Sequence, residues 1–414
     1  MSSQRLTIRD AGYTPGIFPP GPTNSILDVP GVHISQATVP TTSDLKPHST
    51  ATKGVTIIVP RPPKEYYRPC AASTFTFNGN GELTGTHQIA DWGFTNTPIA
   101  LTNSLSLGTV FDGIWDWVLD QQDTFGWDDL TKARNYGTPV VAETADWIVN
   151  AEVKKSRVER EVIKRCFEGL KSKEDGGVVQ EGQHGGGAGM TCHQFAGGTG
   201  TASRVFGGGE GGKRNYTIGV LCQSNYGLLQ DMVIGGVPVG KLLKKEKDAQ
   251  GAFAADEGSA EVHPPSQSEV KVGGRTKDGS IVIVLITDAP LATHQLNRLA
   301  RHATAGLAQV GARGIGKTFS GDIFLALSTA EHGPQQVENT KLRTYGPTQT
   351  FQTEVVKNES IDTHFYACAE AVEEAILNSM VGGRSGTVGM DGTKVDGFPV
   401  EKVEGLLEKH LVKV

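Results

Sequence analysis

The chain has 414 residues, a net charge of −6 and 20% charged residues, with no long run of like charges. Its length fits one large domain or two to three domains of roughly 150 residues each. The charge pattern excludes the basic surface that binds nucleic acid or anionic membranes, and it favours small or neutral ligands.

The sequence predicts no membrane span, no disulfide framework and no metal site. Residues 1–10 lack an apolar signal core, and no stretch approaches the ~18 apolar residues of a span, so a cytoplasmic protein is predicted. Five cysteines, none in a C-x-x-C pair, fit neither a disulfide framework nor a zinc knuckle. The eleven histidines show no metal-ligand spacing, and no organic cofactor is expected.

The first part of the chain predicts alternating strands and helices. Residues 1–50 resemble an irregular sheet edge, and 54–60 form an apolar run typical of a buried strand. Helical spacing of apolar residues follows at 109–119 and 157–170. In 216–223 alternate residues are apolar, which predicts a strand with one face on the core.

The second part opens with a polar stretch. Residues 246–277 have little apolar content, so we expect an exposed, mobile excursion. The β-branched run 280–287 predicts a fully buried strand. A helix after Pro290, a strand at 319–329 and a helix at 362–381 are predicted next, the last one ended by Gly382 and Gly383.

Two glycine-rich stretches resemble phosphate loops, at 207–213 and 311–318. A phosphate loop follows a strand and opens a helix, so that the helix N-terminus faces the phosphates. Each of these stretches instead leads into a predicted strand. The sequence therefore does not predict nucleotide binding here.

The step from Gly279 to Ser280 is the most unusual junction in the chain. A long polar stretch ends there, and a hydroxyl residue opens a buried strand. If the anchoring strains this bond, the Ser280 hydroxyl can attack the Gly279 carbonyl, and ester hydrolysis frees Ser280 as a new N-terminus. Its α-amine, with a pKa near ~8, can then act as a general base. An ordinary loop-to-strand serine remains the commoner interpretation of this pattern alone.

Four other residues are candidates to assist Ser280. Ser320 and Asp322 lie two apart on a predicted strand and would share one face, as a relay or as an ordinary strand end. Asn225 could donate its amide to an oxyanion or occupy a turn. Glu143 could bind a substrate ammonium or sit in the first turn of a helix.

At these residues the chain resembles the family of the L-aminopeptidase/D-Ala-esterase/amidase DmpA and the β-peptidyl aminopeptidases. The resemblance covers nearly the whole chain and rests on blocks that keep one order: LDVPGV (27–32), GVTIIVP (54–60), NGELTG (80–85), PIALTN (98–103), PVVAET (139–144), GTGTASR (198–204), SNYG (224–227), and GS (279–280) with TDAPL (287–291).

The resemblance implies an α+β fold, a four-layer αββα sandwich, in which residues 1–414 form one catalytic domain. It implies a cut between Gly279 and Ser280 that leaves a larger chain, 1–279, and a smaller one, 280–414, in association. A homo-oligomer is implied as well, with a tetramer as the candidate state. The substrates would be short peptides, amino-acid amides or esters, with β- or D-residues as an open question.

Site roles follow from the same resemblance. Ser280 would form the acyl-enzyme, Ser320 and Asp322 would match the supporting serine and acid, Asn225 the oxyanion donor, and Glu143 the amine-binding acid. A carboxylate that pairs with a free ammonium would restrict cleavage to the first residue of a substrate.

The chain departs from the family pattern at two positions. Ala145 stands where an aromatic residue is expected, and Asp322 stands where the acid can be glutamate. These departures leave the shape of the pocket and the relay geometry open.

Two other classes of function stay open at this point. The first is an acyltransferase resembling the ornithine acetyltransferases, which share the fold but cut before a threonine rather than a serine. The second is a non-catalytic binding protein that remains uncut.

Overall fold

The computed structural model describes residues 5–42, 48–125, 137–208, 212–251, 271–272, 275–276, 279–311, 313, 315–331 and 350–412. The α-helices of these residues are α1 Thr86–Trp92, α2 Leu107–Phe125, α3 Arg160–Glu168, α4 Val239–Gly251, α5 Thr293–Gly311, α6 Asp362–Gly382 and α7 Val400–His410. Short 3-10 helices lie at Ile8–Ala11, Ile26–Asp28, Pro63–Glu65, Ser104–Ser106, Val153–Lys155, Gly185–Gly187, Leu229–Asp231 and Asn358–Ser360.

Two main sheets contain most of the strands. A four-stranded sheet has the order β1-β2-β5-β6, and a six-stranded sheet has the order β4-β3-β14-β13-β10-β9. Their strands are β1 His33–Pro40, β2 Thr52–Val59, β3 Cys70–Gly79, β4 Phe94–Thr95, β5 Ile99–Asn103, β6 Val140–Thr144, β9 Gly198–Gly208, β10 Arg214–Asn225, β13 Ser280–Thr287 and β14 Gly321–Ser328. Three two-stranded ribbons comprise β7 Thr191–Cys192, β8 Phe195–Ala196, β11 Lys271–Val272, β12 Arg275–Thr276, β15 Thr387–Val388 and β16 Lys394–Val395.

The buried side chains divide the molecule into four layers. Strand β13 shows the division, because Val282, Val284 and Ile286 face the four-stranded sheet, whereas Ile281 and its alternate neighbours face α5 and α6. The outer face of the four-stranded sheet packs on α2 and α3. The resulting order of helix, sheet, sheet and helix confirms the αββα sandwich.

Several predicted elements are confirmed closely. The buried run 280–287 is β13, and each of its side chains is buried. The strand predicted at 216–223 lies within β10, and the helices predicted after Pro290 and at 362–381 are α5 and α6. The chain thus folds as its apolar periodicity indicates wherever that periodicity is strong.

The predicted excursion at 246–277 is only partly described. Its first residues belong to α4, which runs to Gly251. Residues 252–270, 273–274 and 277–278 lie outside the described residues. In the described part of the chain, no helix combines the length and the apolar character needed to cross a bilayer.

Candidate active site

Ser280 is the first residue of β13, a central strand of the six-stranded sheet. Its backbone pairs with Asn225 of β10, while the next residue, Ile281, pairs with Asp322 of β14. The side chain is 8% exposed, and its Oγ accepts a hydrogen bond from the Gly321 N–H at 3.1 Å. The two flanking strands therefore bring the sequence-predicted residues Asn225 and Asp322 to Ser280.

The residue before Ser280 has to be small. A Cβ added at Gly279 would lie 2.6 Å from the Cα of Tyr226, closer than side chains approach a backbone. Tyr226, which directly follows β10, therefore leaves no room for a side chain at position 279.

Ser320 and Asp322 form a hydrogen-bonded pair behind Ser280. The Ser320 hydroxyl donates to Asp322 Oδ2 at 2.7 Å, and the Asn78 amide donates to Ser320 Oγ at 3.3 Å. Both residues are fully buried. Burial raises the pKa of Asp322, and the hydrogen bond from Ser320 acts in the opposite direction. Ser320 lies directly before β14 rather than within it, which slightly corrects the predicted strand start.

The second glycine-rich stretch, 311–318, provides a hydrogen bond to the Ser320–Asp322 pair. The Gly316 N–H donates to Asp322 Oδ2 at 2.8 Å, so this backbone amide binds a carboxylate of the chain itself. Gly316 has a φ of +69°, and a Cβ at this position would lie 2.8 Å from a ring carbon of Phe77. Any other residue is therefore strained in this backbone conformation, and its Cβ would also displace the half-exposed Phe77 ring.

Asn225 connects β10 to the loop after β6. Its amide donates to the Ala145 carbonyl at 2.7 Å, and its Oδ1 accepts from the Thr191 N–H at 2.9 Å. An amide nitrogen carries two hydrogens, so one further donation is possible. Asn225 is 4% exposed and forms part of a cavity wall together with Ser280.

Glu143 lies on the other sheet and faces the same cavity. It belongs to β6, so the alternative that places it in a helix is wrong. Its Oε1 accepts from the Glu82 N–H at 3.0 Å, and its Oε2 accepts from the Ser104 hydroxyl. Burial raises the pKa of Glu143, whereas these two hydrogen bonds lower it.

The cavity itself has a volume of about 410 Å³ and lies between the two sheets. Ser280, Asn225 and Glu143 line it, while Ser320 and Asp322 lie behind its wall. Sequence reasoning did not single out four further lining residues: Ser104, Trp147, Ile148 and Phe319. Ser104 directly follows the PIALTN block and Trp147 lies two residues after the departure at Ala145, and these were the available signals.

Metal ligands do not gather at this site. Over the ranges that the structure describes, no three His, Cys, Asp or Glu side chains come together in a way that could hold a metal ion. The chemistry available in the cavity is that of a hydroxyl, amides and a carboxylate.

Comparisons with known proteins identify the family. Residues 24–395 match the model of peptidase family S58. The chain is 34% identical to the beta-peptidyl aminopeptidase BapA of Sphingosinicella microcystinivorans, over 99% of this chain and 93% of that protein.

Two solved structures resemble the whole fold. A beta-aminopeptidase of a Burkholderia species matches with a TM-score of 0.77 and 34% identity, over 99% of this chain and all of the other. The L-aminopeptidase D-Ala-esterase/amidase of Ochrobactrum anthropi, described as a variant of the Ntn hydrolase fold, matches with a TM-score of 0.79 and 34% identity over 98% of each chain. The chain therefore belongs to peptidase family S58 and is a peptidase with the N-terminal nucleophile hydrolase fold.

Proposed function

We propose that this peptidase cuts its own chain between Gly279 and Ser280, and that Ser280 then releases the N-terminal residue of short peptides, amino-acid amides or esters. One observation carries the proposal. Ser280 opens a central strand between Asn225 and Asp322, and it shares a cavity with the carboxylate of Glu143.

Self-cleavage begins with attack of Ser280 Oγ on the Gly279 carbonyl carbon. The new C–O bond replaces the C–N bond, and the Ser280 nitrogen takes up the hydroxyl proton. Water then hydrolyses the ester, which leaves a carboxylate on Gly279 and a free hydroxyl and α-amine on Ser280. The space at position 279 supports this site of cleavage, because a Cβ there would clash with the Tyr226 Cα, so that a glycine must precede Ser280.

Peptide cleavage uses the freed amine. An α-amine with a pKa near ~8 is partly unprotonated near neutral pH, and this unprotonated fraction can accept the Oγ proton. Asn225 donates to the oxygen of the tetrahedral intermediate, and the Ser320–Asp322 pair positions Ser280 from behind. The leaving amine departs with the proton, and water releases the acyl residue from Ser280.

Glu143 selects substrates with a free N-terminal amine. Its carboxylate has two hydrogen-bond donors from the chain, Ser104 and the Glu82 backbone, that hold it in place for an ammonium ion. One relative is named a beta-peptidyl aminopeptidase and another a beta-aminopeptidase. We therefore include β-amino acyl residues in the proposed range.

The experiment that tests the proposal is a denaturing mass measurement of the purified protein together with an assay of aminoacyl p-nitroanilides. We expect two chains, 1–279 and 280–414, and release of p-nitroaniline. An uncut protein that still acts as a peptidase would contradict the mechanism. Acetyl exchange between acetylornithine and glutamate would favour the transferase instead. Native mass measurement of the same sample tests the predicted homo-oligomer.

Replacing Glu143 with glutamine is expected to lower kcat/KM for free-amine substrates by about 10²–10³-fold and to leave self-cleavage intact. Processing involves no substrate ammonium, so only turnover depends on this charge. Because burial raises the pKa of Glu143 above 4.5, the wild-type kcat/KM profile should contain an ionisation above pH 4.5 that is absent from the variant, whereas both proteins keep the ionisation of the Ser280 α-amine near ~8. Glu168→Gln, which changes an exposed acid on α3 that does not line the cavity, is the control. Equal loss of processing and turnover in Glu143→Gln would count against the role.

Replacing Gly316 with alanine is expected to lower kcat by about ten- to a hundredfold, since it moves the N–H that holds Asp322. Gly236→Ala is a matched control, because Gly236 has a φ of +78° and a Cβ added there would meet no atom within 4 Å. Both variants should lose about 1–2 kcal/mol of stability from the left-handed backbone. Equal kcat values in steady-state assays of the two variants would refute the positioning role of Gly316.

A further inference from the structure

Two large aromatic side chains border the cavity without taking part in the proposed chemistry. Trp147 is 50% exposed and Phe319 is 63% exposed, and both line the cavity with Ile148. Trp147 follows β6, the strand of Glu143, and Phe319 directly precedes Ser320. Exposed aromatic surface is costly in water, and a patch of it beside a polar site is typical of a binding surface.

The charge of the cavity restricts what this surface can bind. Among the described residues that line it, Glu143 is the only one with an ionisable acidic or basic side chain. The substrate ammonium occupies that carboxylate in the proposed function. A lysine or arginine side chain would thus find no second carboxylate, and an acidic side chain would be repelled by Glu143.

The two ends of the released residue are fixed by the proposed function, on which this inference rests. Its ammonium lies at Glu143 and its carbonyl carbon at Ser280, so its side chain must occupy the remaining part of the cavity. At about 410 Å³ the cavity lies within the range of small-molecule sites of roughly 300–1,000 Å³.

We propose that Trp147 and Phe319 form a subsite for the side chain of the released residue, and that the enzyme prefers large apolar or aromatic N-terminal residues over small, acidic or basic ones. Contacts between the substrate side chain and the rings of Trp147 and Phe319, together with burial of the exposed faces of these rings, provide the preference for large apolar residues. Both residues determine specificity and take no part in bond cleavage.

The test uses p-nitroanilides of alanine, leucine, phenylalanine, aspartate and lysine with the wild-type, Trp147→Ala and Phe319→Ala proteins. Wild type should favour phenylalanine and leucine. Each variant should reduce the ratio of kcat/KM for phenylalanine to that for alanine about tenfold, while the alanine substrate itself changes little. Trp92→Ala is the control, since Trp92 is 69% exposed but lies at the end of α1 beside a different cavity.

The possible outcomes distinguish failure of the proposed subsite from failure of the proposed function. A wild type that is cut and hydrolyses all five substrates without preference would refute the subsite and leave the proposed function standing. A wild type that stays uncut and hydrolyses none would refute both. The phenylalanine amide provides a further check. If Trp147→Ala affects the p-nitroanilide of phenylalanine but not its amide, the aromatic residues bind the leaving group, and the proposal is wrong.

Discussion

Purified Ser280→Ala protein is expected to remain one chain of 414 residues and to release no p-nitroaniline, whereas wild type separates into residues 1–279 and 280–414. Both losses have one cause, because the Oγ that attacks Gly279 is also the group that attacks the substrate. Removal of a serine nucleophile costs about 10⁶-fold in kcat, which places the residual rate below detection. Denaturing mass measurement and the p-nitroanilide assay read the two effects separately.

Ser224→Ala is the matched control for this experiment. Ser224 is a fully buried serine on the neighbouring strand β10, and its hydroxyl contacts Ser379 Oγ and the Gly198 carbonyl rather than the cavity. We expect this variant to be cut and active. Ser280→Cys keeps a nucleophile and is expected to be cut more slowly. A Ser280→Ala protein that is cut at 279/280, or that retains wild-type turnover, would refute the assignment.

The local elements of this fold could be predicted where their apolar pattern is unambiguous. Strand β13 is buried on both faces and consists mainly of β-branched residues, and α5 shows one apolar stripe. Helix α4 was missed, since its C-terminal part is polar. It consists largely of lysine, glutamate, alanine and glutamine, which favour a helix without any apolar period.

The site could be predicted only in part for a related reason. Ser280, Asn225 and Glu143 lie in short blocks that carry the family resemblance. Trp147 and Phe319 come from loops on different sheets, and their meeting at one cavity depends on how the two sheets pack. A motif search could not predict the hydrogen bond from the Gly316 N–H to Asp322 either, because the glycine pattern at 311–318 resembles that of a phosphate loop.

A buried ion-pair network joins the two parts of the chain on either side of the proposed cut. Arg204 of β9 is fully buried and contacts Glu374 at 2.8 Å and Glu370 at 3.1 Å, both on α6. Arg9 contacts the same Glu374 at 2.6 Å. The arginines belong to residues 1–279 and the glutamates to 280–414. This network, Arg9, Arg204, Glu370 and Glu374, would therefore link the two product chains of the proposed cleavage.

The stabilisation that this network provides depends on pH. Burial raises the pKa of Glu374, but the hydrogen bond from Arg9 and the charges of Arg204 and Arg9 outweigh it and hold the pKa below its ordinary value of 4.5. A carboxyl group with a lowered pKa stabilises the folded state above its unfolded pKa. That stabilisation is lost as the pH falls below 4.5 through the folded pKa, so acid is expected to weaken the association of the chains.

Replacing Arg204 with methionine is expected to reduce the stability of the cleaved protein by about 3–5 kcal/mol, because the variant keeps two glutamates buried beside an uncharged side chain. The measurement is release of residues 280–414 from 1–279 in a urea series, followed by size exclusion with mass detection. Release should occur at lower urea than in wild type. Arg160→Met is the control, since Arg160 pairs with Asp112 at 2.6 Å but both are more than half exposed, and such surface pairs contribute about 0–1 kcal/mol. If the two variants release the smaller chain at the same urea concentration, the network does not hold the chains together.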